Sequence, residues 1–120
     1  MADHNDLGNK GEELAQNYLR ENNYVISECN WRFGKNEIDI IALDNKTLVI
    51  AEVKTRSSRF YGDPEVFVTR AKQRFLIKAA HAYIMKNNLN LETRFDILAV
   101  VLNPITSEIH HIKNAFYPMR

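Results

Sequence analysis

Glu37-Ile38-Asp39-Ile40-Ile41-Ala42-Leu43, then Asp44-Asn45-Lys46-Thr47, then Leu48-Val49-Ile50-Ala51-Glu52-Val53-Lys54-Thr55-Arg56 is the stretch that decides the fold. Two aliphatic, β-branched runs flank a short polar connection, which is the pattern of an antiparallel hairpin. Side chains alternate along a strand, and here both faces are apolar. Ile38, Ile40 and Ala42 share one face, answered by Val49, Ala51 and Val53; Ile41 and Leu43 share the other, answered by Leu48 and Ile50. A sheet that is apolar on both sides must be covered on both sides, so the hairpin belongs in a central sheet between helices.

The flanking segments supply that cover. Leu7, Gly11, Leu14, Ala15, Tyr18 and Leu19 make the stripe of an amphipathic helix that ends near Asn22-Asn23. Tyr24 to Arg32 reads as a strand, with Phe33-Gly34-Lys35-Asn36 as its turn. Thr69 is a natural N-cap for a long helix to about Lys86. Arg94 to Leu102 is the most strand-like run in the chain, and Glu108 to Ile112 reads as a short edge strand before an irregular tail. The expected fold is therefore α/β, a mixed β-sheet flanked by helices in the order αβββαβ(β). The expected domain is a single unit over residues 1–120 with its core at about 7–112.

With 120 residues, 45% of them hydrophobic, the chain can bury one core and has little room for a second. The formal net charge of +1 excludes a strong overall field toward nucleic acid or acidic membrane, so any polyanion-binding surface must be local. Cys29 is a lone cysteine, expected to be a buried or half-buried thiol, and the start Met1-Ala2-Asp3-His4 lacks the pattern of a secretory signal. The expected location is cytoplasmic. No run approaches the roughly 20 apolar residues that span a bilayer, so no membrane partner is expected.

Chemistry concentrates in the hairpin. A register that sets Leu43 opposite Leu48 also sets Asp39 opposite Glu52, with Lys54 two residues on and facing the same way. A three-residue loop would shift the register by one and separate the two acids. Like charges facing each other among apolar neighbours destabilise a sheet, and a cation would relieve them. Mg²⁺ suits the pair because it prefers hard oxygen ligands and is commonly held by one or two carboxylates. Glu12 lies in line with Gly8, Ala15 and Leu19 at the border of the first helix's apolar stripe, with Gly8 and Gly11 leaving space around it. The bland alternative keeps Asp39 and Glu52 at solvated strand ends, with Lys54 as a salt-bridge partner.

Gly8-x-x-Gly11-Glu12, Asn30-Trp31-Arg32, Glu37-Ile38-Asp39, Glu52-Val53-Lys54-Thr55-Arg56, Lys72-Gln73-Arg74 and Arg94-Phe95-Asp96 resemble, in order and spacing, the bacterial YraN-type family of uncharacterised proteins. That family is similar to the D-(D/E)-x-K nucleases, which include restriction endonucleases and archaeal Holliday-junction resolvases. The resemblance spans about residues 8–101. It implies a restriction-endonuclease-like fold in which Asp39 and Glu52 bind metal and Lys54 positions or activates the attacking water. It further implies that Glu12 is the helix acid of the resolvase-like subgroup, a third metal-site carboxylate, and that Gln73 is the glutamine on the helix after the hairpin. Residues alone also allow Gln73 to be a helix-edge amide bonded to backbone.

The activity so implied is Mg²⁺- or Mn²⁺-dependent hydrolysis of phosphodiester bonds in DNA, including branched or damaged DNA. The alternatives are a catalytically weak or inactive nuclease-fold accessory that binds nucleic acid, and a structural domain with ordinary ion pairs. Arg70, Arg74, Lys78 and His81 form a basic ridge on the long helix, and Arg56 and Arg59 lie in or beside the loop after the Glu-x-Lys strand; these are the candidate phosphate contacts, with a solvated face as the ordinary alternative. Phe60 and Tyr61 could stack on bases or anchor the loop, and Trp31 is expected in packing. His110-His111 point to opposite faces of a strand and so do not chelate. DNA is the expected partner, and a second copy of the chain is a further candidate.

Overall fold

Polar and small residues punctuate the chain where the elements change. The computed structural model describes residues 4–58 and 68–118. Its elements are α1 (His4–Glu21), β1 (Val25–Phe33), β2 (Asn36–Asp44), β3 (Thr47–Arg56), α2 (Arg70–Lys86), β4 (Glu92–Leu102) and β5 (Ser107–Phe116). The five strands form one sheet in chain order; β3 and β4 are parallel, and the other neighbours are antiparallel. A parallel pair requires a crossover, and α2 provides it. The order αβββαββ matches the expected α/β arrangement.

Each face of the sheet has its own helix. Ala15 and Leu19 of α1 pack with Tyr24, Ile40, Ala42, Val49, Ala51 and Leu98. On the opposite face Leu76, Ala79, Ala80 and Tyr83 of α2 pack with Ile41, Leu48, Ile50, Phe95 and Ile97. The two-sided apolar hairpin is thus covered as its pattern demands. Trp31 is part of this packing, edge-on to Tyr83 with ring centroids 5.2 Å apart. Thr69 caps α2, its side chain accepting the Lys72 amide at 3.1 Å. The β2–β3 ladder pairs Leu43 with Leu48, as expected, and continues to Asp44 and Thr47, so the turn is the two residues Asn45-Lys46. Asn45 adopts a φ of 55°, which asparagine tolerates better than most side chains.

Three expectations need correction. The irregular tail after residue 112 is strand, since β5 continues to Phe116, whose ring stacks on Phe95 at 5.1 Å. Asn114 (φ 53°) interrupts the alternation there and sends its amide to Asp96, which hid the strand from a simple period-2 reading. Ile38 does not share a face with Ile40 and Ala42, because it lies in the α2-side cluster while they lie in the α1-side cluster. The switch falls between the β1–β2 pairs Cys29–Ile40 and Trp31–Ile38, where Asn30 takes a φ of 53°. Cys29 is exposed on the edge strand instead of being buried. Among the described residues no helix is long and apolar enough to cross a membrane.

The distance between α1 and β3 is set by one glycine. A Cβ at Gly11 would lie 2.8 Å from the Thr55 Cβ and 2.7 Å from its Cγ2, and closer still to its hydroxyl. Gly8 has open space instead. In a helix interior, Gly to Ala ordinarily gains about 1 kcal/mol. At Gly11 the contact with Thr55 outweighs that gain, since overpacking typically costs about 1–3 kcal/mol. Gly11→Ala should therefore lower the melting temperature, and Thr55→Ala should restore only part of the loss because the Thr55 Cβ remains in the way. A higher melting temperature for Gly11→Ala would refute the close approach.

Candidate metal and phosphate site

The β2–β3 ladder stops at Ile40 and Ala51. One step further, the backbone amide of Val53 donates to the Asp39 carboxylate at 2.8 Å, so a side chain replaces the next strand-to-strand bond. Asp39 thus stands at a fork, opposite the left-handed Asn30 on its other side. The register expected from the sequence holds, yet Asp39 and Glu52 meet through their side chains and not as a ladder pair.

Two further carboxylates lean on Asp39. Burial raises the pKa of Glu12 on α1, the charge of Asp39 raises it further, and a hydrogen bond with the Asn30 side chain works against both. Glu52 on β3 is only 4% exposed. Burial, followed by a hydrogen bond with Asp39 and that residue's charge, pushes its pKa up to about 8, against the opposing charges of Lys72 and Lys54. The three acids form a chain with Asp39 in the middle. Among the described residues no group of three His, Cys, Asp or Glu side chains is gathered tightly enough to hold a metal ion, so the triple convergence of Glu12, Asp39 and Glu52 is not present in that form.

Glu52 carries the site's least satisfied atom. Its Oε2 is buried and has no hydrogen-bond partner among the described residues, although Lys72 Nζ lies 3.4 Å away as an ion-pair neighbour. A buried polar atom left unpaired costs about 1–3 kcal/mol, more when charged. An oxygen-seeking cation held by Glu52 and Asp39 would satisfy it, and these hard oxygen donors fit Mg²⁺ or Mn²⁺.

The other expected residues fall in different places. Lys54 follows Glu52 on β3 and is half-buried. Gln73 Nε2 donates to the Val68 carbonyl at 3.0 Å, the backbone-bonded alternative. Arg56 ends β3, with its guanidinium on the Thr55 carbonyl at 3.2 Å. Arg59, Phe60 and Tyr61 lie outside the described residues. Arg70, Arg74 and Lys78 line a groove of about 660 Å³ on the β5 side of α2.

Two members of the site escaped sequence reasoning as functional residues. Asn30 was legible as an anomaly, since asparagine is depleted in strands and enriched at positive φ. Lys72 stood within the Lys72-Gln73-Arg74 motif with no role read for it, because its contact with Glu52 exists only once α2 is docked. His110 and His111 do face apart: His110 is exposed, and His111 is buried against Asp96 at 2.7 Å.

Asp96 anchors a second polar cluster on β4 and is fully buried. Arg94 binds it through two nitrogens at 2.9 and 2.8 Å and reaches Asp44 at 2.9 Å and the Tyr24 hydroxyl at 2.7 Å. His111 joins Asp96 to the Tyr18 hydroxyl, which lies 3.1 Å from its second ring nitrogen.

The model of the uncharacterised protein family UPF0102 matches residues 11–100, which include every member of both clusters except His111 and Asn114. The chain belongs to family UPF0102. A UPF0102 protein of Flavobacterium psychrophilum is 50% identical over 117 residues, covering 98% of each chain. UPF0102 proteins of Bacteroides fragilis and Porphyromonas gingivalis are 45% and 43% identical over 118 residues, covering 98% of both chains in the first case and 97% of this chain and 87% of the relative in the second. The family relationship expected from the ordered motifs is therefore shown at the level of UPF0102, a family whose description assigns no activity.

Proposed function

We propose that this UPF0102 member is a nuclease that hydrolyses phosphodiester bonds of DNA with Mg²⁺ or Mn²⁺, with branched or damaged DNA as its substrate class. One observation carries the reading: Glu52 is a buried carboxyl beside Asp39 whose Oε2 accepts no hydrogen bond among the described residues and has only the Lys72 ammonium, 3.4 Å away, as a charged neighbour there. The ordered resemblance to the D-(D/E)-x-K nucleases is consistent with it. Asp39 and Glu52 would hold the ion, with Glu12 next to Asp39. When bound, the ion would supply positive charge to the attacked phosphate and lower the cost of deprotonating water.

The protein's own groups account for the rest. Val53 N–H fixes the Asp39 carboxylate. Lys54 presents an ammonium on the Glu52 side of β3, where it can orient water or stabilise charge growing on the phosphate. Arg56 at the end of β3 can hold a flanking phosphate.

Linkage supplies the test. The folded pKa of Glu52 lies above its unfolded value, so the carboxyl binds its proton more tightly when folded. Its contribution to stability is complete below the unfolded pKa and is lost as pH rises toward about 8, at no more than about 1.4 kcal/mol per pH unit. Glu52→Gln removes that loss, so the metal-free variant should melt higher than wild type at pH 8 and equally at pH 4. Millimolar Mg²⁺ or Mn²⁺ should raise the wild-type melting temperature at pH 8 and leave Glu52→Gln unmoved. The same preparations should be incubated with linear, single-stranded and four-way-junction DNA. Absence of both cation-dependent stabilisation and cleavage would overturn the proposal.

A further inference from the structure

Arg70, Arg74 and Lys78 recur every four residues on α2, so their Cα atoms rise about 6 Å per step along one side of the helix. All three are exposed. They form one bank of the 660 Å³ groove, with Gln73 and Ile77 on the same helix and Phe116, Tyr117 and Pro118 opposite. The banks differ in chemistry. One carries three permanent cations, and the other carries a half-exposed aromatic edge in which Tyr117 is 67% exposed beside the buried Phe116 ring. Among the described residues none that lines the groove is acidic.

We infer that this groove takes a single-stranded segment of polynucleotide, with successive phosphates on Arg70, Arg74 and Lys78 and a base stacked on Tyr117. Cations spaced along a helix match the repeating charge of a strand, and an exposed aromatic ring supplies a sequence-tolerant stacking platform. The volume falls in the roughly 300–1,000 Å³ range of clefts that enclose small ligands, which leaves room for a nucleotide or two and none for a duplex. An acidic peptide would satisfy the cations but leave Tyr117 without a stacking partner. The inference extends the nuclease proposal by naming the strand form the protein holds; groove and acids share α2, which lines the groove with Gln73 and pairs with Glu52 through Lys72. It rests on that proposal only for the identity of nucleic acid as ligand.

Binding is best measured on the full chain in EDTA, with a labelled oligo-dT strand as probe and a duplex of equal length as comparison. The EDTA removes divalent cations, so failure of the metal site and failure of the groove are read separately. The strand should bind at least tenfold more tightly than the duplex. Tyr117→Ala should remove most of that preference, since stacking of one base is worth about 5- to 150-fold. Arg70→Gln with Arg74→Gln should flatten the slope of log affinity against log salt by about 1.4, from two phosphate contacts at roughly 0.7 each. These positions are exposed, and a melting curve of each variant confirms that it folds. Equal affinity for strand and duplex, an unchanged affinity in Tyr117→Ala, or displacement of the strand by polyglutamate as readily as by unlabelled oligo-dT would overturn the inference.

Discussion

Arg94→Met is expected to destabilise the protein by about 3–5 kcal/mol, the cost of leaving a buried charge without its partner. For a chain of this size that corresponds to a fall in melting temperature on the order of 10–20 °C. The reason lies in Asp96, which is fully buried. Burial alone would raise its pKa, but hydrogen bonds from His111, Arg94 and the Asn114 amide hold it below the ordinary carboxylate range. Arg94 also supplies the contacts to Asp44 and Tyr24, so its loss strips partners from three side chains at once. Arg94→Lys should recover only part of the loss, because a lysine cannot present two parallel donors to one carboxylate. A fall of less than about 5 °C in Arg94→Met would show that the cluster is not a main support of the fold.

The two buried acids give stability opposite dependences on pH. Asp96 has a depressed folded pKa, so its contribution is complete above the unfolded value of about 3.9 and is lost as pH falls through the folded one. Glu52 has a raised folded pKa, and its contribution is lost as pH rises above the unfolded value. Wild type without a divalent cation should therefore be most stable between these limits, near pH 4–5 as an order-of-magnitude expectation from the two windows. Glu52→Gln should flatten the alkaline side of the profile, and Arg94→Met should move the acid side upward.

The fold was legible where one physical signal dominated. The two-sided apolar pattern of Ile38–Leu43 and Leu48–Val53 required helices on both faces, and both are there. Thr69 was legible as a cap because its side chain satisfies an amide that the first turn of α2 leaves open. Alternation failed where a single asparagine adopts a left-handed conformation: Asn30 moved Ile38 to the other face, and Asn114 concealed the end of β5. The acids that meet at Asp39 were singled out in the sequence by type and spacing. Their geometry was not legible, because the fork at Asp39 depends on a side chain taking over a ladder bond from β2. The Lys72–Glu52 pair arises from how α2 docks on β3, and the aromatic bank of the groove from how the end of β5 lies beside α2, which no local pattern in these segments encodes.

Lys54→Met separates the enzyme from a merely structural arrangement of the same residues. In the nuclease proposal Lys54 acts on water or on the attacked phosphate, so its removal should reduce cleavage by about 10²–10⁴-fold, the usual worth of a positioned acid–base group. Divalent-cation stabilisation at pH 8 should persist, because Glu52 and Asp39 remain. In the structural reading Lys54 instead offsets the charge of Glu52, and its loss should appear as instability. The position of Lys72 sharpens the contrast, since its ammonium lies 3.4 Å from Glu52 Oε2 and opposes the Glu52 pKa shift more strongly than Lys54 does. A structural role for charge at this site therefore belongs first to Lys72, and Lys72→Met should lower the melting temperature more than Lys54→Met. Methionine keeps the aliphatic stem in both variants, so packing is largely preserved and the lost charge is what each measurement reports. Melting curves and cleavage assays on the same preparations then decide. If Lys54→Met melts several degrees below wild type while cleavage of every DNA form is absent from wild type as well, the lysine is a structural counter-charge and the nuclease proposal falls.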